Sequence, residues 1–142
     1  MPTIKLARVS GEYGFEAHDD YGHTVRMDSS AESGGANFGV RPMQMLLMGL
    51  GGCSAIDVIA ILRKQRQDVV DYEMVISGER EPNKEPSLWQ TINLEFHLYG
   101  KVDEEKAKKA VELSLGKYCS VAATLYKAEA DIKWQVFIHP AK

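Results

Sequence analysis

Two cysteines are the residues of this sequence best suited to chemistry. Cys53 and Cys119 are the only two among 142 residues, and they lie 66 residues apart (119 − 53). That separation excludes a CxxC redox motif or one half of a zinc knuckle. Both lie in the most apolar, helix-like stretches of the chain. A thiol in such surroundings is either an inert packing residue or a nucleophile for an apolar substrate, and the residues leave both interpretations open.

The residues around the first thiol bear on its reactivity. Gly49, Gly51 and Gly52 precede Cys53 in an otherwise helical pattern, although each glycine in a helix interior costs roughly 1 kcal/mol relative to alanine. They therefore indicate close packing of another element, open space beside the sulfur, or both. Asp57 follows one helical turn after Cys53, and a nearby carboxylate raises a thiol pKa. A reactive thiolate at Cys53 therefore needs a cation from elsewhere.

The elements that must position these thiols begin with strands. Residues 3–9, 13–18 and 23–28 alternate between apolar and polar side chains and are separated by short turns. This pattern predicts a meander of antiparallel strands. Residues 29–39 are small and polar and contain three glycines, which predicts a loop.

A long helix is predicted over residues 42–65, with Pro42 in its first turn. Its apolar side chains occupy nearly every side, which is typical of a helix buried on all faces. A chain of 142 residues cannot easily surround such a helix alone, so we expect a second subunit to cover part of it. Polar residues and glycines interrupt the apolar stretch, so we expect a buried helix of a cytoplasmic protein and no membrane span.

The second half of the chain repeats the strand-then-helix order. Strands are predicted over residues 69–81 and 88–99. A helix then runs from the N-cap Asp103 to Gly116. Cys119 begins a further short helical segment, and residues 132–138 form a last predicted strand. The sequence thus predicts a single α+β domain over residues 1–142, with antiparallel strands packed around two principal helices.

Composition excludes several classes of function. The net charge of −3 and the absence of a basic stripe argue against a nucleic-acid partner. The histidines show no ligand spacing, so we expect no metal site; they are His18, His23, His97 and His139. No glycine-rich loop joins a strand to a helix in the manner of a phosphate-binding site, and we expect no cofactor.

Together these residues resemble a known family. The pattern consists of Pro42, Leu46, Leu47, the GGCSAIDV run at residues 51–58, and KYCSVA at residues 117–122. It is similar to the osmotically inducible protein C and organic hydroperoxide resistance family (OsmC/Ohr). The nearest likeness is the less characterised OsmC-like branch with GGCSAIDV, and the resemblance covers nearly the whole chain.

The resemblance implies an OsmC-like fold in an intertwined homodimer. Antiparallel sheets wrap the paired central helices, and each active site lies at the subunit interface. It also implies a thiol-dependent reduction of organic hydroperoxides or hydrogen peroxide. Cys53 would attack the peroxide oxygen and become a sulfenic acid, and Cys119 would condense with it to a disulfide. An external dithiol would then restore the pair.

The family also uses an arginine beside the thiolate, held by a glutamate one residue after the proline that starts the helix. The resemblance assigns the arginine to Arg26, with Arg41 as the substitute candidate. Met43 occupies the position of the glutamate. The neighbouring Gln44 can orient a guanidinium through its carbonyl oxygen but adds no charge, and Glu32 in the loop could supply a carboxylate. This departure bears on the efficiency of peroxide reduction.

Three functions compete. The first is a thiol-dependent peroxidase. The second is a non-enzymatic redox sensor, or a protein of the same fold that binds a small apolar ligand. The third is a stable dimer in which both cysteines only pack. The separation of Cys53 and Cys119 tests whether the thiols can act as a redox pair at all, because disulfide formation requires backbone carbons within about 7 Å.

Overall fold

The N-terminal strands form an antiparallel sheet of their own. A computed structural model describes residues 1–127 of the protein. In it, β1 (Lys5–Ser10), β2 (Gly14–His18) and β3 (Thr24–Met27) pair in the order β1-β2-β3, as the alternating pattern predicted. The loop after β3 contains one short 3-10 turn, Ala31–Ser33, and returns to the sheet through a bridge between Met27 and Val40.

The long helix α1 spans Pro42–Lys64, with its proline in the first turn, which confirms the prediction to within one residue. Leu50, Val58 and Leu62 are buried along it. By length and composition alone α1 could cross a membrane, a test that the core helix of a soluble protein also passes. In this fold α1 packs against a strand and the two shorter helices described below.

One stripe of α1 is left uncovered within the protomer. Met48 is 54% exposed and Ile56 is 71% exposed, and Gly52 lies between them, one turn from each. A Cβ at Gly52 would meet no described atom within 4 Å. An apolar stripe of this kind is unusual on a surface that faces only water. That a second subunit covers it stays a prediction.

The second sheet is a long hairpin. Strands β4 (Asp68–Arg80) and β5 (Trp89–Lys101) pair antiparallel along their length. The apolar face of this hairpin packs on α1, and Gly51 allows the close approach, because a Cβ at this position would overlap the Cδ1 atom of Ile76. Close packing is therefore the reason for Gly51.

Two shorter helices complete the described fold. α2 spans Glu104–Leu113, and the carboxylate of its predicted N-cap Asp103 accepts a hydrogen bond from the Lys106 N–H at 3.0 Å. The prediction that this helix continues to Gly116 was wrong. The α-helix ends at Leu113 and passes into a π-helical turn, Ser114–Tyr118, whose wider ring shifts the chain after it.

α3 spans Ser120–Lys127 and begins directly after Cys119. Two apolar clusters form the core of the described residues. One surrounds Cys119 and Leu50, and the other surrounds Val58 and Leu62. The α+β class with antiparallel sheets is confirmed. The strand predicted over residues 132–138 lies outside the described residues.

Candidate functional site

The structure brings the two thiols together. Cys53 lies in the middle of α1, and Cys119 lies between the π turn and α3. Their sulfur atoms and a carboxylate oxygen of Asp57 all lie within 4.8 Å of one another. Both thiols are free, Cys53 half-buried and Cys119 buried. Side chains 66 residues apart (119 − 53) therefore form one cluster.

The surroundings of the thiols are apolar. Leu50 and Ala122 are buried against Cys119, and Leu94 and Leu115 pack on the same cluster. Leu50 comes from the turn of α1 before Cys53, and Ala122 from the first turn of α3. The packing of these two helices thus sets the distance between the sulfurs.

The π turn fixes the second thiol against the first helix. The Cys119 N–H donates to the Ser114 carbonyl oxygen at 2.7 Å. The hydroxyl of Ser114, which is fully buried, donates to Asp57 Oδ2 at 2.9 Å. Ser114 therefore links Asp57 to Cys119 through its two polar groups. Sequence reasoning missed Ser114, since neither the π turn nor this contact leaves a periodic signal.

Burial sets the ionisation of the second thiol. It raises the pKa of Cys119 above its ordinary value of 9.0, because a thiolate loses its hydration in apolar surroundings. The Ala122 N–H lowers this pKa in part, whereas the hydrogen bond to Cys53 and the charge that Cys53 would carry as a thiolate raise it further. That N–H donates to the Cys119 sulfur at 3.4 Å. Cys119 is therefore a protonated thiol at neutral pH.

The same three side chains bear on metal binding. Cys53, Asp57 and Cys119 are close enough to surround an ion, and none of the histidines within residues 1–127 joins such a group. Thiol ligands must be deprotonated to bind a metal. That the protein has no metal site stays a prediction.

Neither candidate arginine lies near Cys53 of its own chain. Arg41 is the N-cap of α1, and the twelve residues to Cys53 (53 − 41) correspond to about 18 Å along the helix axis. Arg26 lies beside that same helix end, because the Val40 N–H donates to its carbonyl oxygen at 3.0 Å. An arginine side chain cannot extend over that distance.

Arg26 nevertheless has defined partners. Its Nε lies 3.6 Å from a carboxylate oxygen of Glu16, the residue paired with it across β2 and β3. Its guanidinium carbon lies 5.0 Å from the centre of the Phe38 ring, a cation–π distance. The side chain remains 62% exposed. The sequence pointed to Arg26 but missed Glu16, which the strand register could have revealed.

A buried carboxylate holds the loop that carries Phe38. Asp28 accepts hydrogen bonds from the N–H groups of Ser29 at 2.7 Å, Ala36 at 2.9 Å and Phe38 at 3.1 Å. These donors hold the pKa of Asp28 below its ordinary value, the Ala36 N–H contributing most. The loop therefore presents the Phe38 ring to Arg26 in a fixed position.

Two other residues predicted to support the site are exposed. Gln44 lies in the first turn of α1, nine residues (53 − 44) before Cys53 and about 14 Å from it along the axis, so it does not reach Cys53 of its own chain. Glu32 lies in the 3-10 turn. Met43 is half-buried, and its carbonyl oxygen accepts a hydrogen bond from the Trp89 indole at 3.0 Å.

A cavity of about 510 Å³ lies between α1, β5 and α3. Its walls are mainly apolar and include Met43, Leu50, Trp89, Ile92 and Ala122. Leu50 and Ala122 also belong to the cluster around Cys119. The cavity is thus continuous with the apolar surroundings of the thiol pair.

Comparison with protein families finds a match over most of the chain. Residues 33–135 match the family described as OsmC-like protein. The matched segment contains both cysteines, Asp57 and Ser114, and it exceeds half of the 142 residues.

Individual relatives agree with this match. Protein YhfA of Escherichia coli strain K12 is 45% identical over 108 residues, which cover 75% of this chain and 77% of YhfA. The crystal structure of a hypothetical protein from Aquifex aeolicus VF5 is similar with a TM-score of 0.77 and 30% identity, and covers 96% of this chain and 98% of its own.

A more distant solved structure shares the fold. The organic hydroperoxide resistance protein OsmC from Legionella pneumophila is similar with a TM-score of 0.67, over 89% of this chain and 90% of its own. At 16% sequence identity, this comparison shows a shared fold only.

Proposed function

The chain belongs to the OsmC-like protein family, and from this membership we propose that it is a thiol-dependent peroxidase that reduces organic hydroperoxides or hydrogen peroxide. The observation that carries the proposal is the position of the sulfur atoms of Cys53 and Cys119, which lie within 4.8 Å of each other in an apolar cluster. Similar folds include a protein whose own name is organic hydroperoxide resistance protein.

The proposed reaction assigns a different step to each thiol. The Cys53 thiolate attacks the terminal oxygen of the hydroperoxide, so that an S–O bond forms, the O–O bond breaks, and the alkoxide leaves and takes up a proton. Cys119 then attacks the Cys53 sulfur. An S–S bond forms, the S–O bond breaks and water leaves. An external dithiol reduces the disulfide by exchange and is itself oxidised.

The order of the two thiols follows from their environments. Cys53 is half-buried and therefore the more accessible to a substrate, whereas Cys119 is 3% exposed. The raised pKa of Cys119 also leaves it protonated while Cys53 reacts. Cys53 is thus the attacking thiol and Cys119 the resolving one.

We propose that a homodimer supplies the missing cation. The partner subunit's Arg26 would lie beside Cys53, stabilise the thiolate and polarise the peroxide, with the partner's Gln44 orienting it. Two observations support this arrangement. Arg41 of the same chain lies about 18 Å from Cys53 along α1, and Arg26 lies beside the same helix end. The stripe of α1 that contains Gly52 and Ile56 is uncovered within the protomer.

The apolar cavity favours substrates with a hydrocarbon group. It lies beside the thiol pair, and Met43, at the position of the family glutamate, contributes an apolar side chain to its wall. A carboxylate at this point would require a partner or water. We therefore expect alkyl and aryl hydroperoxides to react faster than hydrogen peroxide. The need for an external dithiol fits a reducing compartment such as the cytoplasm.

The test is the consumption of cumene hydroperoxide in the presence of excess dithiothreitol. Cys53→Ser should abolish the turnover. Without dithiothreitol, Cys119→Ser should consume one equivalent of hydroperoxide and accumulate a sulfenic acid on Cys53, which dimedone traps. Wild-type protein that consumes peroxide no faster than Cys53→Ser would end the proposal.

The cavity also supports a second function. The protein could bind a small apolar ligand and use the thiol pair as a redox sensor. This function needs the cavity and the thiols but no catalytic turnover. In that case mild oxidation would produce one Cys53–Cys119 disulfide per chain without a catalytic cycle, and the disulfide would change the affinity for an apolar probe dye.

A further inference from the structure

Asp57 is an acidic side chain of the thiol cluster, and the proposed reaction assigns no role to it. It follows Cys53 by one turn of α1, and one of its carboxylate oxygens lies within 4.8 Å of both sulfurs. In residues 1–127 no other acidic or histidine side chain joins the two thiols at this distance. Asp57 is therefore the nearest described group of these types that can accept a proton from either sulfur.

The position of Asp57 is fixed by a buried contact. Ser114 is fully buried, and its hydroxyl donates to Asp57 Oδ2 at 2.9 Å. Among the described residues no hydrogen bond reaches the other oxygen, Oδ1, which leaves it available to a neighbouring thiol. Ser114 also accepts the Cys119 N–H. The carboxylate and the second thiol are thus held by the same residue.

The charge of Asp57 is unfavourable for the first step of the reaction. A carboxylate beside Cys53 disfavours the thiolate that attacks the peroxide, so its presence there calls for a compensating role. The second step provides one, because Cys119 carries its proton at neutral pH and must lose it in order to attack.

We propose that Asp57 accepts the thiol proton of Cys119 when the disulfide forms and returns it to the oxygen that departs from the Cys53 sulfenic acid. The balance is complete within the cluster. The S–S bond forms, the S–O bond breaks, and the hydroxide leaves as water with the proton that Cys119 loses. The sulfenic acid is the oxidant and the Cys119 thiol is the reductant. This inference rests on the proposed function, and Ser114 is its positioning residue.

The first arm of the test uses a hydroperoxide. Reduced protein is mixed with one equivalent of cumene hydroperoxide, and the sulfenic acid and the disulfide are followed by dimedone trapping and mass spectrometry. Asp57→Asn keeps the size of the side chain and should form the sulfenic acid at least as fast as wild type. Its disulfide should form about 10²-fold more slowly, the low end of the effect of a general base.

The second arm does not depend on peroxide chemistry. Ellman's reagent converts Cys53 to a mixed disulfide with release of one thionitrobenzoate, and attack by Cys119 releases the second. Thionitrobenzoate leaves without a proton, so this arm isolates the deprotonation of Cys119. Asp57→Asn should slow the second release, and Asp57→Glu should recover part of the rate. The matched control is Asp71→Asn, which removes an exposed carboxylate of β4.

The outcomes separate the two proposals. If Asp57→Asn slows the second release while hydroperoxide never oxidises Cys53 of wild type, the role of Asp57 in the deprotonation of Cys119 stands and the peroxidase proposal fails. If Asp57→Asn releases the second thionitrobenzoate as fast as Asp71→Asn, the inference is overturned. Should Asp57→Asn fail to fold, Ser114→Ala replaces it. This variant keeps the carboxylate and removes its anchor, and a wild-type rate in it overturns the inference.

Discussion

Two inactive variants should restore each other if the arginine beside Cys53 comes from the second subunit. The perturbation is an equal mixture of Cys53→Ser and Arg26→Ala. Arg26 lies at the N-terminal end of α1, through the hydrogen bond from Val40 to its carbonyl oxygen, and Cys53 lies about 18 Å further along the helix. In a dimer with shared sites, each site therefore takes its thiol from one chain and its guanidinium from the other.

The magnitude follows from symmetry. Random exchange of subunits makes about half of the dimers mixed. In each mixed dimer one site has both groups intact, because the Arg26→Ala chain supplies Cys53 and the Cys53→Ser chain supplies Arg26. The other site lacks both. The mixture should therefore reach about one quarter of the wild-type activity per chain.

The assay is dithiol-dependent loss of cumene hydroperoxide after the two variants are unfolded and refolded together. Each variant refolded alone gives the baseline. Native mass spectrometry of the refolded mixture should find about half of the dimers mixed, which checks that exchange is complete. Arg8→Ala, which removes an exposed arginine of the same N-terminal sheet, should keep full activity and shows that the effect belongs to Arg26.

Activity that stays at the baseline, with subunit exchange demonstrated, would refute the shared site. It would mean that the cation comes from the same chain by a rearrangement, or that no arginine serves the thiol.

Three further changes test the elements that position the site. Ile56→Glu should raise the dissociation constant of the proposed dimer by about 30-fold to 10³-fold in sedimentation equilibrium, because two symmetric copies each lose about 1–2 kcal/mol of apolar burial; an unchanged constant would place the dimer contact elsewhere. Asp28→Asn should destabilise the protein in a pH-dependent way. The pKa of Asp28 is lowered from 3.8, so its contribution is complete above that value and is lost as pH falls through the lowered pKa. Urea titrations of both proteins should therefore converge at acid pH, and a constant difference would contradict the argument. Gly51→Val should cost roughly 1–3 kcal/mol of unfolding free energy, because its side chain would displace Ile76. Gly116→Ala, whose Cβ meets no described atom within 4 Å, is the control and should change it by less than about 1 kcal/mol.

Much of the fold could be predicted from the sequence, because residues close together in the chain determine where each element begins. The side-chain alternation of β1–β3, the proline that opens α1 and the N-cap Asp103 each depend on residues a few positions apart, and each gave an element within a residue or two. The end of α2 was not predicted, because it depends on contacts between residues that are distant in sequence. Gly116 is an ordinary helix stop in sequence, whereas the π turn from Ser114 is stabilised by contacts with α1.

The candidate site could be predicted only in part from the sequence. The resemblance pointed to Cys53 and Cys119, and helical spacing placed Asp57 near Cys53. The contact between Ser114 and Asp57 joins residues 57 positions apart, and no local pattern encodes it. The pairing of Glu16 with Arg26 is an intermediate case, because the length of the one turn between β2 and β3 already sets the register of these strands.

The charges around the thiols are the reason why the proposed reaction needs a second chain. Asp57 lies beside both sulfur atoms, whereas Arg26 and Arg41 of the same chain lie at the N-terminal end of α1. A carboxylate hinders the formation of a thiolate at Cys53 and helps to remove the proton of Cys119. The two proposed steps therefore need opposite charges at one place. In the arrangement we propose, the chain provides the anion for disulfide formation and its partner provides the cation for the attack on peroxide. Dilution of the dimer should then slow the first step and leave the release of thionitrobenzoate by Cys119 unchanged.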